Sequence, residues 1–122
     1  MSRYDKTPKN MTGKVIWITG LSGSGKTTLA MGLNLCLQKK QLNPILLDGD
    51  QLRKIFKIDR PKGQSYSRNS RIKLGLKYGL LCKTLSNQGF TVIIATIAMF
   101  DEIYAWNREN LENYLEIYLK VP

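Results

Sequence analysis

The chain has 122 residues, 43% of them hydrophobic and 23% charged, the composition of one globular domain with a single core and little room for a second active-site domain. Nineteen Lys and Arg stand against nine acidic residues with no His, a formal net charge of +10, which leaves acid-base work to carboxylates and points to a polyanionic ligand; surplus lysine for solubility is the plain alternative. No apolar run reaches membrane-spanning length, and no signal-type apolar core follows the polar leader of residues 1–13, so the expectation is a soluble, cytoplasmic protein with no membrane partner.

In chain order, Lys14-Val15-Ile16-Trp17-Ile18-Thr19 is a short, continuously apolar run ending in glycine, the pattern of a central strand buried on both faces. Residues 26–40 carry Leu29, Leu33, Cys36 and Leu37 at helical spacing, with lysines at the end that suit the helix dipole. Asn43-Pro44 breaks this helix, and Ile45-Leu46-Leu47 forms a second buried strand that delivers Asp48-Gly49-Asp50 at its carboxyl end. Residues 59–67, with Pro61 and Gly63, read as a loop; residues 67–88 read as a long helix stopped by Gly89. Residues 90–96 make a third strand, residues 100–114 a further helix, and residues 116–121 a fourth strand ending at Pro122. Cys36 and Cys82 both sit in apolar helical patterns away from any metal-ligand spacing, and both are expected to be buried free thiols. Alternating strands and helices predict an α/β fold, a three-layer parallel sheet with helices on both faces, its ligands collecting beyond the carboxyl ends of the strands.

Gly20-Leu21-Ser22-Gly23-Ser24-Gly25-Lys26-Thr27 matches the P-loop pattern between a predicted strand and a predicted helix, the context that gives the motif its meaning. Glycines let the backbone curl so that successive N–H groups point at phosphate oxygens, and the next helix presents its positive end to the same anion. The candidate nucleotide-binding residues are therefore Gly20, Ser22, Gly23, Ser24, Gly25, Lys26, Thr27 and Thr28. Lys26 is expected to span the β- and γ-phosphates, and Thr27 to ligate Mg²⁺, so the fold class is that of the P-loop NTPases and the ligands are the phosphates of a nucleotide with Mg²⁺.

Asp48 and Asp50, two apart on a segment read as extended, are expected to point the same way beside the loop. One serves metal, for which Asp48 is the candidate, and the other orients a hydroxyl and takes its proton; a polar turn capped by Asp is the competing account. Lys26, Asp48 and Asp50 are thus the catalytic candidates. From residue 60 to 100 there is no acid, while Arg60, Lys62, Arg68, Arg71, Lys73, Lys77 and Lys83 fall there, so that stretch is expected to face the anion. Arg53 is expected at the start of a short helix, and with Arg68, Asn69 and Arg71 it forms the candidate substrate-binding set. Guanidinium groups fit phosphate and sulfate bidentately; a solvated helix face is the plain alternative. Tyr66 adds a surface for stacking a base, whereas Trp17 and Trp106 read as core.

Taken together, GLSGSGKTTLA, LLDGDQLR, the Ser-Arg-rich helix with Leu74-Gly75, QGFTVIIATI and EIYLKVP resemble adenylylsulfate kinase along nearly the whole chain, with residues 14–122 as the kinase domain. The resemblance implies transfer of the γ-phosphate of ATP to the 3′-hydroxyl of adenylylsulfate, with Mg²⁺ required, Asp48 and Asp50 serving metal and acceptor, and Arg53 near the acceptor's anionic end. The family's Asp-Leu-Gly-Phe-Ser segment is replaced here by residues 59–71, and its Ser-Pro-Tyr-Arg stretch by Ala98-Met99-Phe100-Asp101. These departures lie in the acceptor half, which implies a different nucleotide-linked anion, with cytidine diphosphoramidate of polysaccharide modification as the leading alternative. The family pattern also continues past the fourth strand into a lid and a last strand, so the expectation is a chain that lacks them.

The rival classes are a P-loop binding module and a nucleic-acid surface. The Asp-Gly-Asp pair favours a kinase over a module, no guanine-specifying Asn-Lys-x-Asp tetrad is present, and no nucleic-acid motif accompanies the basic stretch. The expected partner is a small nucleotide substrate rather than a nucleic acid, and a homodimer is left open.

Overall fold

The computed structural model describes residues 12–56 and 67–120. Most of the leader, the segment expected as a loop with Tyr66, and the end of the expected fourth strand lie outside the described residues. The elements are β1 (Val15–Gly20), α1 (Lys26–Lys39), β2 (Pro44–Asp48), α2 (Gly49–Ile55), α3 (Arg68–Ser86), β3 (Thr91–Thr96), α4 (Asp101–Asn110) and β4 (Tyr114–Leu119). All strand pairs are parallel, in the order β2-β3-β1-β4, so the expected α/β architecture is what the chain adopts. Among the described residues no helix is long and apolar enough to cross a membrane.

The continuous apolar runs of β1 and β3 are explained by their central position, because each strand has a core on both faces. Val15, Trp17, Val92 and Ile94 point to one side and pack with Leu52 of α2, Tyr78 and Cys82 of α3 and Ile103 of α4. Ile16, Ile18, Ile93 and Ala95 point to the other, against Ala30 of α1, with Leu29, Leu33 and Leu37 around it. The register Ile16↔Ile93 and Ile18↔Ala95 keeps these side chains in rows. Trp17 is fully buried in the first core.

Three expectations are corrected. Cys36 is exposed, and only Cys82 is buried. The buried centre of α1 is Ala30, and at about 100° per residue Cys36 lies roughly 120° round the helix from it, outside the packed stripe. Cys82 sits on the sheet-facing side of α3, where burial pushes its thiol up to about 12. The helix expected over residues 100–114 ends at Asn110, whose side chain closes it by donating to the Trp106 carbonyl at 2.8 Å. Leu111 is already extended at φ −105° and ψ 118°, and Tyr114 opens β4 opposite Val15. Arg53 lies within α2 rather than at its start, because α2 begins directly at Gly49.

Close approach of α3 and α4 depends on glycine: a Cβ at Gly75 would meet Ile103 Cδ1 at 2.1 Å. This packing sets the distance between the start of α3 and the segment after β3, where the site is built.

Candidate nucleotide and acceptor clefts

β1 ends at Gly20 and α1 begins at Lys26, so the intervening turn lies at the carboxyl edge of the central strand. Gly23 and Gly25 adopt φ of 83° and 95°, a left-handed conformation that β-carbon-bearing residues enter only at a cost. Gly25 caps α1 without a side-chain hydrogen bond, and the first turn holds no acid, so the positive end of the helix is left for an anion. Lys26 Nζ donates to the Leu21 carbonyl at 3.0 Å, within the same turn. Ser24 Oγ is buried, with no hydrogen-bond partner among the described residues.

This turn forms one wall of a cleft of about 450 Å³. Ser22, Gly23, Gly25, Lys26, Thr27 and Thr28 line it from the loop and α1; Asp48, Gly49, Asp50 and Arg53 line it from β2 and α2; Ala95, Thr96 and Ile97 come from the end of β3. Gly20 and Ser24 hold the turn's shape rather than line the cleft, since a Cβ on Gly20 would meet the Leu119 carbonyl at 2.6 Å and Ser24 Oγ at 2.8 Å.

The two aspartates reach this cleft by a route other than the extended segment expected. Asp48 is the last residue of β2 and the N-cap of α2, its side chain accepting from the Asp50 N–H at 3.2 Å. Asp50 is in the first helical turn and pairs with Arg53. The capped turn that competed with the catalytic reading is therefore present, and its carboxylate lines the cleft as well. A Cβ on Gly49 would fall 2.8 Å from the Ala95 carbonyl, so glycine there lets α2 start against β3. Thr27 and the aspartates offer hard oxygen donors in one cleft, and no cluster of three or more His, Cys, Asp or Glu occurs among the described residues. That donor set fits Mg²⁺, which takes one or two carboxylates and completes its shell with waters and substrate phosphates.

A second cleft of about 400 Å³ adjoins the first, sharing Gly49, Arg53, Thr96 and Ile97 with it. Its remaining walls are Ser70, Arg71, Leu74, Gly75 and Tyr78 of α3, and Ala98, Met99 and Phe100. Of the expected substrate-binding residues, the structure brings Arg53 and Arg71 to this cleft. Asn69 lines neither cleft, and Tyr66 is outside the described residues. Arg68 instead pairs with Glu102 of α4 at 2.8 Å and lies over the Phe100 ring, and it holds the Glu102 carboxyl below the usual carboxylate range, chiefly through their hydrogen bond. Arg60 and Lys62 lie outside the described residues, and the described part of the acid-free stretch is not one anion-facing surface: Lys73 and Lys77 are exposed and line neither cleft. Sequence reasoning missed Gly49, Thr96 and Ile97, although the rule that ligands gather beyond strand ends points at the last two. It also missed Leu74, Tyr78 and Phe100, because a Leu or aromatic residue beside a helix reads equally well as core.

A family model described as adenylylsulphate kinase matches residues 12–122. The cytidine diphosphoramidate kinase of Campylobacter jejuni is 47% identical over 106 residues, covering 87% of this chain and 59% of that protein. The adenylyl-sulfate kinase of Pseudomonas aeruginosa is 34% identical over 116 residues, covering 93% and 57%. The chain therefore spans 57–59% of the length of these two curated relatives. Among solved structures, the APS kinase of Mycobacterium tuberculosis in complex with AMPPNP and APS superposes with a TM-score of 0.78 at 28% identity, covering 91% of this chain and 64% of that one.

Proposed function

Since the chain belongs to the adenylylsulphate kinase family, with the P-loop fold of its structural neighbours, we propose that it serves an ATP-dependent kinase acting on a hydroxyl of a small nucleotide-linked anion. The observation that carries this reading is the adjacency of two chemically different clefts. One has a phosphate-cradling turn and two carboxylates, the other has apolar and aromatic walls with Arg71, and Arg53 lines both. A second cleft beside the phosphate turn, joined to it by Arg53, gives an acceptor a place next to the nucleotide and so favours the kinase over a binding module.

In this reading the N–H groups of the loop and Lys26 hold the β- and γ-phosphates, and Arg53 with Arg71 receives the acceptor's anionic group. Mg²⁺ held by Thr27 and Asp48 would offset charge on the phosphates. Asp50 orients the acceptor hydroxyl and takes its proton as the oxygen bonds to the γ-phosphorus; the bond from that phosphorus to the bridging oxygen breaks, and its electrons leave with ADP. Leu74 and Phe100, backed by the buried Tyr78, provide the apolar surface on which a planar base can lie.

For the acceptor, the 47% identity to a cytidine diphosphoramidate kinase supports a cytidine-linked anion, together with the departures at Ala98 and Asp101. Adenylylsulfate is the second reading, favoured by the family description and the 34% relative. The test is ADP release from Mg·ATP, by this chain and by a form extended over the length of the curated relatives, with each acceptor offered separately and Asp50→Asn as control. Turnover with the cytidine compound is expected, turnover with adenylylsulfate alone establishes the second reading, and ADP release indifferent to either acceptor overturns the kinase assignment.

A further inference from the structure

Arg68 opens α3 and Glu102 lies in the first turn of α4, and neither lines either cleft. Their pairing is a fork on a carboxylate: Nη2 donates to Oε1 at 3.0 Å, and Nη1 lies 2.8 Å from Oε2. The same guanidinium carbon sits 5.4 Å from the centroid of the Phe100 ring, within cation–π range. Phe100 is the N-cap of α4 and a wall of the second cleft. One side chain therefore joins the first turn of α3, which carries Arg71, to the opposite wall of the same cleft.

Stability is a weak account of this arrangement. The Arg68 and Glu102 side chains are 61% and 45% exposed, and exposed pairs contribute little to folding. Nor is Arg68 a ready receptor for an acceptor anion, because Glu102 occupies both ends of its fork, whereas Asp50 meets Arg53 through Nη2 alone.

We propose that Arg68 and Glu102 are positioning residues for the acceptor: their pair holds Arg68 on the Phe100 ring, fixes that wall against α3, and leaves Arg53 and Arg71 to receive the anion. The inference rests on the kinase reading, since it assigns the second cleft to the acceptor. A planar fork is needed to meet the carboxylate and cover the ring together, so Lys at residue 68 does not substitute.

The experiment is calorimetric binding of cytidine diphosphoramidate and of adenylylsulfate, without ATP, to the chain and to its Glu102→Ala, Arg68→Ala, Arg68→Lys and doubly substituted forms. Melting temperature and AMPPNP affinity are measured alongside. Each single substitution is expected to raise the acceptor Kd roughly threefold to tenfold, the loss of one modest pair and ring contact, with AMPPNP affinity unchanged. The double Ala substitution should be no worse than either single one, because the two residues act as one unit. An unchanged acceptor Kd in Glu102→Ala overturns the inference, as does tighter binding, which would show a freed Arg68 meeting the anion itself. Failure of the unsubstituted chain to bind either acceptor removes the kinase reading and this inference together; binding that Glu102→Ala leaves untouched removes the inference alone.

Discussion

Asp48 carries two duties that can be separated chemically. Its side chain caps α2 through the Asp50 N–H and also lines the first cleft. Asparagine is as good an N-cap as aspartate but brings no charge, so Asp48→Asn should melt close to the parent while losing Mg²⁺-dependent AMPPNP binding. Asp48→Ala should lose that binding and about 1 kcal/mol of stability besides; thermal melts with and without Mg·AMPPNP distinguish the two. The cysteines differ in the same residue-level way. One thiol, Cys36, should react with a thiol reagent in the native protein, and the second, Cys82, only on unfolding, as their exposure dictates. Burial raises the Cys82 thiol from 9.0 to about 12, so between those values the unfolded chain sheds this proton and the native chain keeps it. The thiol therefore supports the native state fully below pH 9.0 and progressively less toward pH 12, at about 1.4 kcal/mol per pH unit. Denaturant melts across that window should show a shallower decline for Cys82→Ala; a slope equal to the parent's would mean that the thiol ionises alike in both states.

At the scale of elements, the contact between α3 and α4 is set by Gly75 against Ile103. Alanine is the better helix former by roughly 1 kcal/mol, but its Cβ would lie 2.1 Å from Ile103 Cδ1, and overpacking of a closed core costs about 1–3 kcal/mol. Gly75→Ala should therefore be destabilising despite its propensity. Ile103→Val removes Cδ1 and leaves only the milder Cγ1 approach of 2.9 Å, so the Gly75→Ala, Ile103→Val pair should be more stable than the sum of the single effects, as read from denaturant melts. The helix α4 is tied to β4 by a chain in which Asn107 donates to the Tyr114 hydroxyl at 3.3 Å and that hydroxyl donates to Glu116 at 2.8 Å. Arg108 also pairs with Glu116. This network explains why the strand starts at Tyr114: the tyrosine is used as a cross-element bridge, and a helical reading of its spacing cannot reveal that.

For the whole molecule, the carboxyl ends of β1, β2 and β3 bring the loop, the aspartates and Thr96 to one edge of the sheet. A ligand bound there joins elements far apart in sequence, so it should raise the melting temperature of the entire domain. At a hundred times its Kd, Mg·AMPPNP is expected to add about 2.7 kcal/mol to stability, and Lys26→Ala should abolish most of the gain. A melting temperature indifferent to the nucleotide would mean that the first cleft does not take it.

Much of this was legible in the chain itself. The unbroken apolar runs of β1 and β3 announce strands buried on both faces, and the phosphate-type turn is local, so its glycines and Lys26 sit within a single strand–turn–helix unit. The class of fold follows from the alternation of elements for the same local reason. What only the tertiary structure decided are the facts that depend on partners distant in sequence. Among these are the exposure of Cys36, the pairing of Arg68 with Glu102 instead of an open anion site, the use of Tyr114 as a bridge, and a second cleft walled by Leu74, Tyr78 and Phe100. Periodicity shows which face of a helix is apolar, but whether an apolar or charged side chain there meets core, cleft or another charge is settled only by which element packs against it.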